Sequence, residues 1–515
     1  MKKIIIYGAL LFSIASCKKG FLDINENPNS STSASPELVL PNALNVTAAR
    51  QINQFTFINA WMGYWCQSGS YAISTTSIND TYQQTTGSGE GLWGNIYNNL
   101  EDYNYIEKQA NAAGKPFYEA AAKIMKAYDY EQLVDMFGDV PYTEALQGIS
   151  NVRPKYDDAQ TIYESLIAGI DDAIELLQRP DASQSGGNTL VQGYVDKITS
   201  STLSKNDFWI QFGNTLKLRM LVRQSQIPGR ESYIQSEIAS IIANGRGFIE
   251  KDAGVNPGYS NDAAGKQNPF YGFNYNTSLT YTNDFWRANQ YSINFLESNG
   301  DNRYEDLYSK QTGDATLPSY LGNTLGIPGF VSSKSSAFGP GVLKIAGQSA
   351  VILSASESYF LQAEATIRGW LNAGSDDAAQ VLYEKGVTAS FSSLRNYDIF
   401  PLLGRSAPEI EASNLYSSGD PDYDWASATT FDKKLALIIR QKWVAMNMVT
   451  PFEAWCDYRR LGLPADMALS QSPYVDVRAI PVRILYPQSE YNTNAANVPV
   501  QSVQAHHTDK IFWMP

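Results

Sequence analysis

Two apolar stripes between Glu357 and Phe391 restrict the fold more than any other feature of this sequence. The first stripe consists of Phe360, Ala363, Ile367 and Trp370, and the second consists of Ala379, Tyr383, Val387 and Phe391. Residues three or four apart share one face of an α-helix, so each stripe predicts an amphipathic helix. Gly374 and Ser375 separate the stripes, and these residue types end one helix and cap the next. The segment therefore predicts an antiparallel helix pair of the kind stacked in helical repeat proteins.

The same helical period recurs elsewhere in the chain. It is carried by Ala120, Ile124, Ala127, Tyr130, Val134 and Phe137 before Gly138, by Ile162, Leu166, Ile170, Ile174 and Leu177 before Pro180, and by Leu435, Ile439, Trp443 and Met446. No strict repeat period connects these segments, so a regular solenoid is not established. Long segments rich in Asn, Gly and Tyr lie at Gln67 to Gly94 and Asn256 to Tyr291. Long loops in a compact protein are usually functional, and this aromatic content disfavours disorder.

The amino terminus has the pattern of a lipoprotein export signal. Met1-Lys2-Lys3 precedes an apolar run from Ile4 to Ile14 that is too short to span a bilayer, and Ile14-Ala15-Ser16-Cys17 fits the bacterial lipobox. We therefore expect residues 1–16 to be removed and Cys17 to be acylated, which would anchor the protein to outer-membrane lipid. The Asn, Ser and Pro content that follows predicts a tether over residues 17–40, and residues 41–515 form the predicted folded domain.

Charge and reactive side chains exclude several classes of function. Lys and Arg total 39 against 52 Asp and Glu, a net charge of −13, and no basic cluster exists, so we expect no nucleic-acid partner. The adjacent His506 and His507 are the chain's histidines and leave almost no material for a His-ligated metal or a Ser-His-Asp triad. We expect no catalytic residues, no cofactor and no metal, although loop carboxylates leave an oxygen-only structural calcium site open. Cys66 and Cys456 could form one disulfide, but two separate buried thiols are favoured.

Short motifs are spread over nearly the whole mature chain. They are Phe21-Leu-Asp-Ile-Asn25, Phe137-Gly-Asp-Val-Pro-Tyr-Thr-Glu-Ala-Leu146, Arg153-Pro-Lys-Tyr-Asp157, Asn214-Thr-Leu-Lys-Leu-Arg219, Phe360-Leu-Gln-Ala-Glu-Ala365, Gln441-Lys-Trp443, Glu453-Ala-Trp455 with Asp457-Tyr-Arg-Arg460, and Ile480-Pro-Val-Arg-Ile-Leu-Tyr-Pro487 with Ser489-Glu-Tyr491. In this order the motifs closely resemble those of the SusD/RagB family of Bacteroidetes outer-membrane lipoproteins.

This resemblance implies an all-α fold: a single large helical domain of tetratricopeptide-like helix pairs whose long loops carry the ligand site. It also implies a SusC-like TonB-dependent transporter as partner, for which the lipoprotein acts as a lid. Members of the family capture glycans or, in some branches, peptides at the cell surface for import without chemical change. One departure is that Lys18 and Lys19 stand where the family commonly has acidic residues as a surface-export cue. We expect outer-membrane attachment facing the cell surface.

Two loops contain the side chains that a glycan site requires. A sugar ring presents an apolar face and a rim of hydroxyls, so its site needs exposed aromatic planes beside polar groups. The candidate ligand-binding residues are Tyr71, Tyr82 and Trp93 in the first loop and Tyr281, Asn283, Asp284, Trp286 and Arg287 in the second. The sharpest hypothesis is a stacking platform of Trp286 and Tyr281 with Asp284 and Arg287 at its rim. The alternative is that these aromatic residues fasten the loops to the helices.

The leading function is non-catalytic capture of neutral oligosaccharides. A peptide-binding subunit of the RagB type is the first alternative, because the same aromatic loops could clasp an extended chain through backbone hydrogen bonds. A surface glycoside hydrolase that uses a pair of carboxylates is the second, but 52 carboxylates supply close pairs by chance and so do not indicate a hydrolase. Composition does not decide between a glycan and a peptide.

Overall fold

The computed structural model describes residues 34–182, 190–192, 205–395 and 404–515, with the backbone alone for residues 190–192. The predicted signal peptide (residues 1–16), Cys17 with Lys18 and Lys19, and the first motif at Phe21 lie outside the described residues. Within the described ranges α-helices dominate and the strands are short. The predicted all-α fold class is therefore confirmed.

The helices and strands follow one another along the chain with long connections in its second half. The helices of the first half are α1 (Pro36–Asn53), α2 (Thr56–Trp61), α3 (Ile78–Thr81), α4 (Glu90–Ala112), α5 (Pro116–Phe137), α6 (Ala159–Gln178), α7 (Lys205–Arg223) and α8 (Glu231–Asn244). The later helices are α9 (Pro269–Asn274), α10 (Gln290–Ser298), α11 (Tyr304–Leu307), α12 (Ala355–Ile367), α13 (Asp376–Arg395), α14 (Pro408–Tyr416), α15 (Phe431–Met446), α16 (Pro451–Leu461), α17 (Gln488–Thr493) and α18 (Ala505–Thr508). The strands are β1 (Trp65–Gln67), β2 (Leu190–Gln192), β3 (Ala253–Val255), β4 (Trp286–Ala288) and β5 (Ala350–Leu353).

Helix α1 begins inside the segment that the sequence predicts as tether. Pro36 occupies its first turn, where the missing N–H costs nothing because the first helical donors have no intrahelical partner. Leu40 and Leu44 of this helix are fully buried. The packed part of the chain therefore reaches back at least to Pro36 rather than to Pro41.

The helix pair predicted between Glu357 and Phe391 is present as α12 and α13, which pack closely along each other. Gly374 adopts a positive φ of 72° in the turn between them. The Ser375 hydroxyl accepts a hydrogen bond from the backbone N–H of Ala378, at 3.2 Å, at the start of α13. Both turn residues therefore play the roles that the sequence predicts for them.

Helix α5 lies at the centre of the first half and packs against α1, α4, α6 and α7. Except for Glu119, Lys123 and Lys126, all of its residues are buried. The apolar stripe of this helix predicts one buried face, but the helix is buried almost all round and three of its buried residues are acidic. These are Asp129, Glu131 and Asp135, and each forms an ion pair with a buried arginine.

Buried charged side chains join four helices through one network. Glu131 of α5 accepts hydrogen bonds from the Arg219 guanidinium of α7, with Nη2 to Oε2 at 2.5 Å. The Nη1 atom of Arg219 lies 3.4 Å from Glu357 of α12 and 3.5 Å from Glu453 of α16. Arg223 also pairs with Glu453 and with Asp135. This network, defined here as the Arg219 network, connects the first helix pairs to the last ones.

Two small antiparallel sheets hold distant segments of the chain together. β1 pairs with β4, with Gln67 opposite Trp286 and Cys66 opposite Arg287, and β3 lies between β2 and β5.

Cys66 and Cys456 are both buried and not bridged. In the described part of the chain, no helix combines the length and apolarity needed to cross a bilayer. Across the same residues, no three His, Cys, Asp or Glu side chains are grouped closely enough to hold a metal ion.

Candidate functional site

The pairing of β1 with β4 brings the two predicted loops side by side. Just beyond the strands, the Ser68 backbone N–H donates to the Phe285 carbonyl at 2.7 Å. The Ser68 hydroxyl donates to the Asp284 carbonyl at 2.8 Å. The start of the first loop and the residues before β4 are therefore held in fixed positions relative to each other.

A third loop, at residues 329–332, joins the same surface. The Gly69 N–H donates to the Phe330 carbonyl at 2.7 Å, and the Ser332 N–H donates to the Ser70 hydroxyl at 3.0 Å. A Cβ atom on Gly69 would lie only 1.9 Å from the Gly329 carbonyl oxygen, so the two chains approach this closely only because Gly69 has no side chain. We call residues 68–72, 283–287 and 329–332 the three-loop surface.

This surface presents aromatic rings to solvent beside a carboxylate. Tyr71 and Phe330 are each 40% exposed, and Asp284 is also exposed. The Tyr71 hydroxyl donates to Asp284 Oδ1 at 2.5 Å, and this hydrogen bond raises the pKa of Tyr71. The half-buried ring of Phe285 meets Tyr71 edge to face, with 4.9 Å between ring centroids. The second carboxylate oxygen of Asp284 makes no hydrogen bond within the described residues.

Arg287 supports the surface from below. Its Nε donates to the Ser332 carbonyl at 3.0 Å, and its Nη1 donates to the Asn283 carbonyl at 2.8 Å. Burial lowers the pKa of this guanidinium, while Tyr281 and Asp284 oppose that shift. Among the described residues Nη2 has no hydrogen-bond partner, so Arg287 both braces the loops and retains a donor for a ligand.

Tyr281 and Asn283 act inside the second loop. The Tyr281 hydroxyl and the Asn283 side-chain amide both donate to Asn274 Oδ1, at 3.3 Å and 2.9 Å. The Asn283 Oδ1 atom accepts from the backbone N–H of Trp286 at 3.1 Å. These two predicted site residues therefore position the loop that carries Asp284.

The remaining predicted aromatic residues do not present their rings to solvent. Trp286 is 7% exposed and packs against Trp65 and Phe285, so the predicted Trp286 platform is not formed in this structure. Trp286 lies in β4 opposite Gln67 of β1, and its indole packs into the core beside Trp65. Tyr82 is fully buried, and its hydroxyl accepts from the Ser470 N–H at 2.8 Å.

Trp93 belongs to a helix rather than to the predicted loop, because α4 already begins at Glu90. Its ring is 6% exposed and lines a separate cleft of about 280 Å³, which we call the Trp93 cleft. The cleft is lined by Trp93, Tyr97, Asn98, Glu101, Pro141, Ala145, Leu146, Gln147, Gly148, Asn151, Pro154 and Glu490. Trp93 thus lies apart from the three-loop surface, although the sequence predicts it in the same loop as Tyr71.

Phe330 and Ser332 are members of the surface that the sequence did not single out. Phe330 lies in a stretch rich in Gly, Pro and Ser, from Gly322 to Ser336. An aromatic residue isolated in such a stretch has few neighbours with which to bury its ring. That isolation is the signal in the sequence that indicates an exposed ring.

Comparisons with known proteins agree with the fold. A SusD-like family model, described as starch-binding and associating with the outer membrane, matches residues 28–487. A SusD-like protein from Bacteroides thetaiotaomicron is 22% identical with a TM-score of 0.67, covering 93% of this chain and 98% of its own. A SusD homologue from Bacteroides fragilis is 21% identical with a TM-score of 0.71, covering 93% and 99%. A chitin-binding SusD homologue from Flavobacterium johnsoniae is 20% identical with a TM-score of 0.67, covering 93% and 98%.

A comparison with curated proteins finds no significant match. The family match nevertheless spans most of the chain, and the similar structures share the helical architecture over nearly their whole length. The chain therefore belongs to the SusD-like family, whose model is described as starch-binding and associating with the outer membrane.

Proposed function

We propose that this protein captures neutral oligosaccharides at its three-loop surface and delivers them, chemically unchanged, to a SusC-like TonB-dependent transporter. In this proposal Cys17 carries the lipid that anchors the protein to the outer membrane, with its binding surface facing the cell exterior. The observation that carries the proposal is the grouping of exposed Tyr71 and Phe330 with Asp284 and Arg287.

This grouping fits the chemistry of a sugar ring. The exposed faces of Tyr71 and Phe330 suit the apolar CH face of a pyranose, which packs on aromatic planes. The free oxygen of Asp284 accepts hydrogen bonds, and the free Nη2 of Arg287 donates them, so neighbouring hydroxyls of a sugar find both kinds of partner. Because the surface is open, it suits a chain of several units rather than one enclosed monomer.

The delivery step is supported by family membership and by the amino-terminal sequence. A protein tethered through Cys17 cannot move a ligand across the membrane by itself, and the described residues contain no membrane-spanning helix. Capture at the surface therefore requires a separate transporter. The family model describes association with the outer membrane, which agrees with this arrangement.

The proposal is tested by titrating the full mature chain in detergent with neutral oligosaccharides, acidic oligosaccharides and peptide digests, using calorimetry. We expect saturable binding of neutral oligosaccharides and no product after prolonged incubation. Binding of peptides alone would replace the glycan proposal with the peptide-binding alternative. Product that disappears when a surface carboxylate is mutated would replace it with the hydrolase.

A matched pair of variants locates the site. Phe330→Ala removes an exposed ring from the three-loop surface, and Phe431→Ala removes a ring of similar exposure, 43%, from the start of α15. We expect Phe330→Ala to weaken binding by about 1 to 3 kcal/mol, the scale of a lost aromatic anchor. Phe431→Ala should bind like the unmodified protein. Equal affinities for the two variants would place the site elsewhere.

A further inference from the structure

The Trp93 cleft is a second concave site, built from three parts of the chain. Helix α4 contributes a face that includes Trp93, Tyr97 and Glu101, the loop after α5 contributes residues 145–154, and α17 contributes Glu490. Its volume of about 280 Å³ is at the lower end of the range for small-molecule sites, about 300 Å³ and above. The space fits a single ring-sized unit.

The walls of the cleft are held in place by hydrogen bonds that do not use its interior. The Tyr97 hydroxyl donates to the Pro141 carbonyl at 2.7 Å, and the Asn104 amide donates to the Leu146 carbonyl at 3.2 Å. On the opposite side, the Asn494 amide donates to the Pro154 carbonyl at 2.9 Å. Leu146 adopts a positive φ of 57°, which is unfavourable for a leucine and is maintained only because the surrounding structure fixes it. The cleft is therefore preformed.

The floor of the cleft contains an unused donor. Trp93 is more than nine-tenths buried by Phe137, Tyr156 and Tyr486, which surround its ring. Its indole N–H donates to no residue in the described ranges. The indole nitrogen itself is not fully buried, so a ligand in the cleft can reach it. An oxygen atom of that ligand would accept its hydrogen bond.

The electrostatic character of the cleft is negative. Glu101 and Glu490 are the charged residues in its lining, and the Tyr156 hydroxyl fixes Glu490 by donating to Oε2 at 2.9 Å. The pKa of Tyr97 lies well above its ordinary value, first because of burial and then because of Tyr130, Tyr156 and Glu490. Within the described lining no Lys, Arg or His balances the two carboxylates.

The polar side chains between these carboxylates are amides. Asn98, Gln147 and Asn151 line the cleft and can both donate to and accept from hydroxyl groups. The half-buried ring of Tyr97 adds an apolar surface. A ligand that fits has a small ring, several hydroxyls and one positive charge.

We propose that the Trp93 cleft is a second binding site, which takes an ammonium-bearing sugar unit such as a hexosamine with a free amino group. That the ligand is a sugar rests on the proposed glycan function. That the ligand is positively charged follows from Glu101 and Glu490 alone. The ammonium group pairs with Glu101 and Glu490, and the Trp93 N–H donates to a ring or hydroxyl oxygen. In this arrangement the three-loop surface binds neutral units of the glycan, and the Trp93 cleft binds an amino sugar unit of the same chain. The inference therefore extends the proposed ligands from neutral oligosaccharides to those that also contain an amino sugar.

The test compares glucosamine tetramer with N-acetylglucosamine tetramer on the full mature chain by calorimetry. Glu101→Gln keeps the size of the side chain and removes its charge, and Glu175→Gln, on the exposed side of α6, is the matched control. We expect Glu101→Gln to weaken binding of the glucosamine tetramer by about tenfold, the effect of losing one charge-assisted hydrogen bond. Binding of the N-acetylated tetramer should not change, and Glu175→Gln should resemble the unmodified protein.

Phe330→Ala separates this inference from the proposed function. If Phe330→Ala weakens both tetramers to the same degree and Glu101→Gln weakens neither, the cleft is not a site and the inference is overturned. If the glucosamine tetramer responds to Glu101→Gln while no glycan responds to Phe330→Ala, the inference stands and the proposed three-loop site is wrong. Equal competition by tetralysine would overturn the sugar class, because the cleft would then recognise the amine alone.

Discussion

At the scale of single residues, some aromatic side chains of this protein are exposed and others lie in the core. The residue type alone does not show which are which. Tyr71 and Tyr82 occur in the same predicted loop, yet one ring is 40% exposed and the other is fully buried. Tyr71, Asp284 and Arg287 could be predicted from the mixture of aromatic and polar residues around them. The burial of Tyr82, Trp93 and Trp286 could not, because each of them also packs against or hydrogen-bonds to a residue far away in the sequence.

Trp286 shows the consequence for mutagenesis. As a platform residue it could be removed with little effect on folding, but as a core residue in β4 it packs against Trp65. We expect Trp286→Ala to lower the free energy of unfolding by about 3 to 5 kcal/mol, the cost of deleting a large buried side chain. Denaturant unfolding measures this change, and Phe330→Ala serves as the exposed comparison. A Trp286→Ala variant as stable as Phe330→Ala would contradict the packing described here.

Glu357 predicts a pH dependence of stability. Burial raises its pKa from an ordinary 4.5 to about 7, against the opposing effect of Arg219. Between these two values the folded state binds more protons than the unfolded state, so this group makes the free energy of unfolding fall as pH rises. We expect Glu357→Gln, which is neutral at every pH, to flatten that part of the stability profile. The exposed Glu175→Gln should retain the profile of the unmodified protein, and parallel profiles for the two variants would refute this assignment.

At the scale of secondary-structure elements, the sequence predicts α5, α6, α12, α13 and α15, but it predicts neither the long helices α1, α4 and α7 nor any strand. The apolar stripes before Gly138 and Pro180 and the stripes beside Gly374 correspond to α5, α6, α12 and α13. The strands are three or four residues long and too short to show alternation, and β1 pairs with residues more than 200 positions away. Local pattern therefore reveals the helical scaffold, whereas the pairings that assemble the site are non-local.

The contact between α12 and α13 depends on the absence of a side chain at Gly386. A Cβ atom there would lie 2.6 Å from the ring of Phe360, which is fully buried and has no room to move. We therefore expect Gly386→Ala to lower the melting temperature, because overpacking typically costs about 1 to 3 kcal/mol.

The matched control is Gly169→Ala in α6, where an added Cβ would have no neighbour within 4 Å. Alanine is a better helix former than glycine, so this variant should gain about 0.5 to 1 kcal/mol. Thermal unfolding of both variants tests the pair. Stabilisation by both substitutions would mean that Phe360 can move aside.

At the scale of the whole molecule, the Arg219 network makes the early and late helices depend on each other. Glu131 and Glu453 are both buried, and they share the guanidinium groups of Arg219 and Arg223. Removing one partner of a buried ion pair leaves an uncompensated charge in the interior. Removing one of these carboxylates therefore destabilises the helices of both halves of the chain.

We expect Glu131→Gln to destabilise the protein by about 3 to 5 kcal/mol, the usual effect of breaking a buried pair. Asp181→Asn, which breaks an exposed pair with Arg179, should leave the free energy of unfolding almost unchanged because solvent screens that pair. Denaturant unfolding followed by circular dichroism and by tryptophan fluorescence measures both variants. Two separate transitions in Glu131→Gln would show that the two halves unfold independently, contrary to this expectation.

The main-chain hydrogen bonds among the three loops bear on how such a protein diversifies. Ser68 with Phe285 and Gly69 with Phe330 are joined through backbone atoms, so these bonds persist whatever side chains Phe285 and Phe330 carry. The backbone arrangement of the surface is therefore independent of the side chains that would contact a ligand. Substitutions at Tyr71, Asp284 and Phe330 can change what is recognised while the backbone beneath them stays in register. As long as Gly69 is retained, single substitutions on this surface can change the ligand without changing the backbone arrangement.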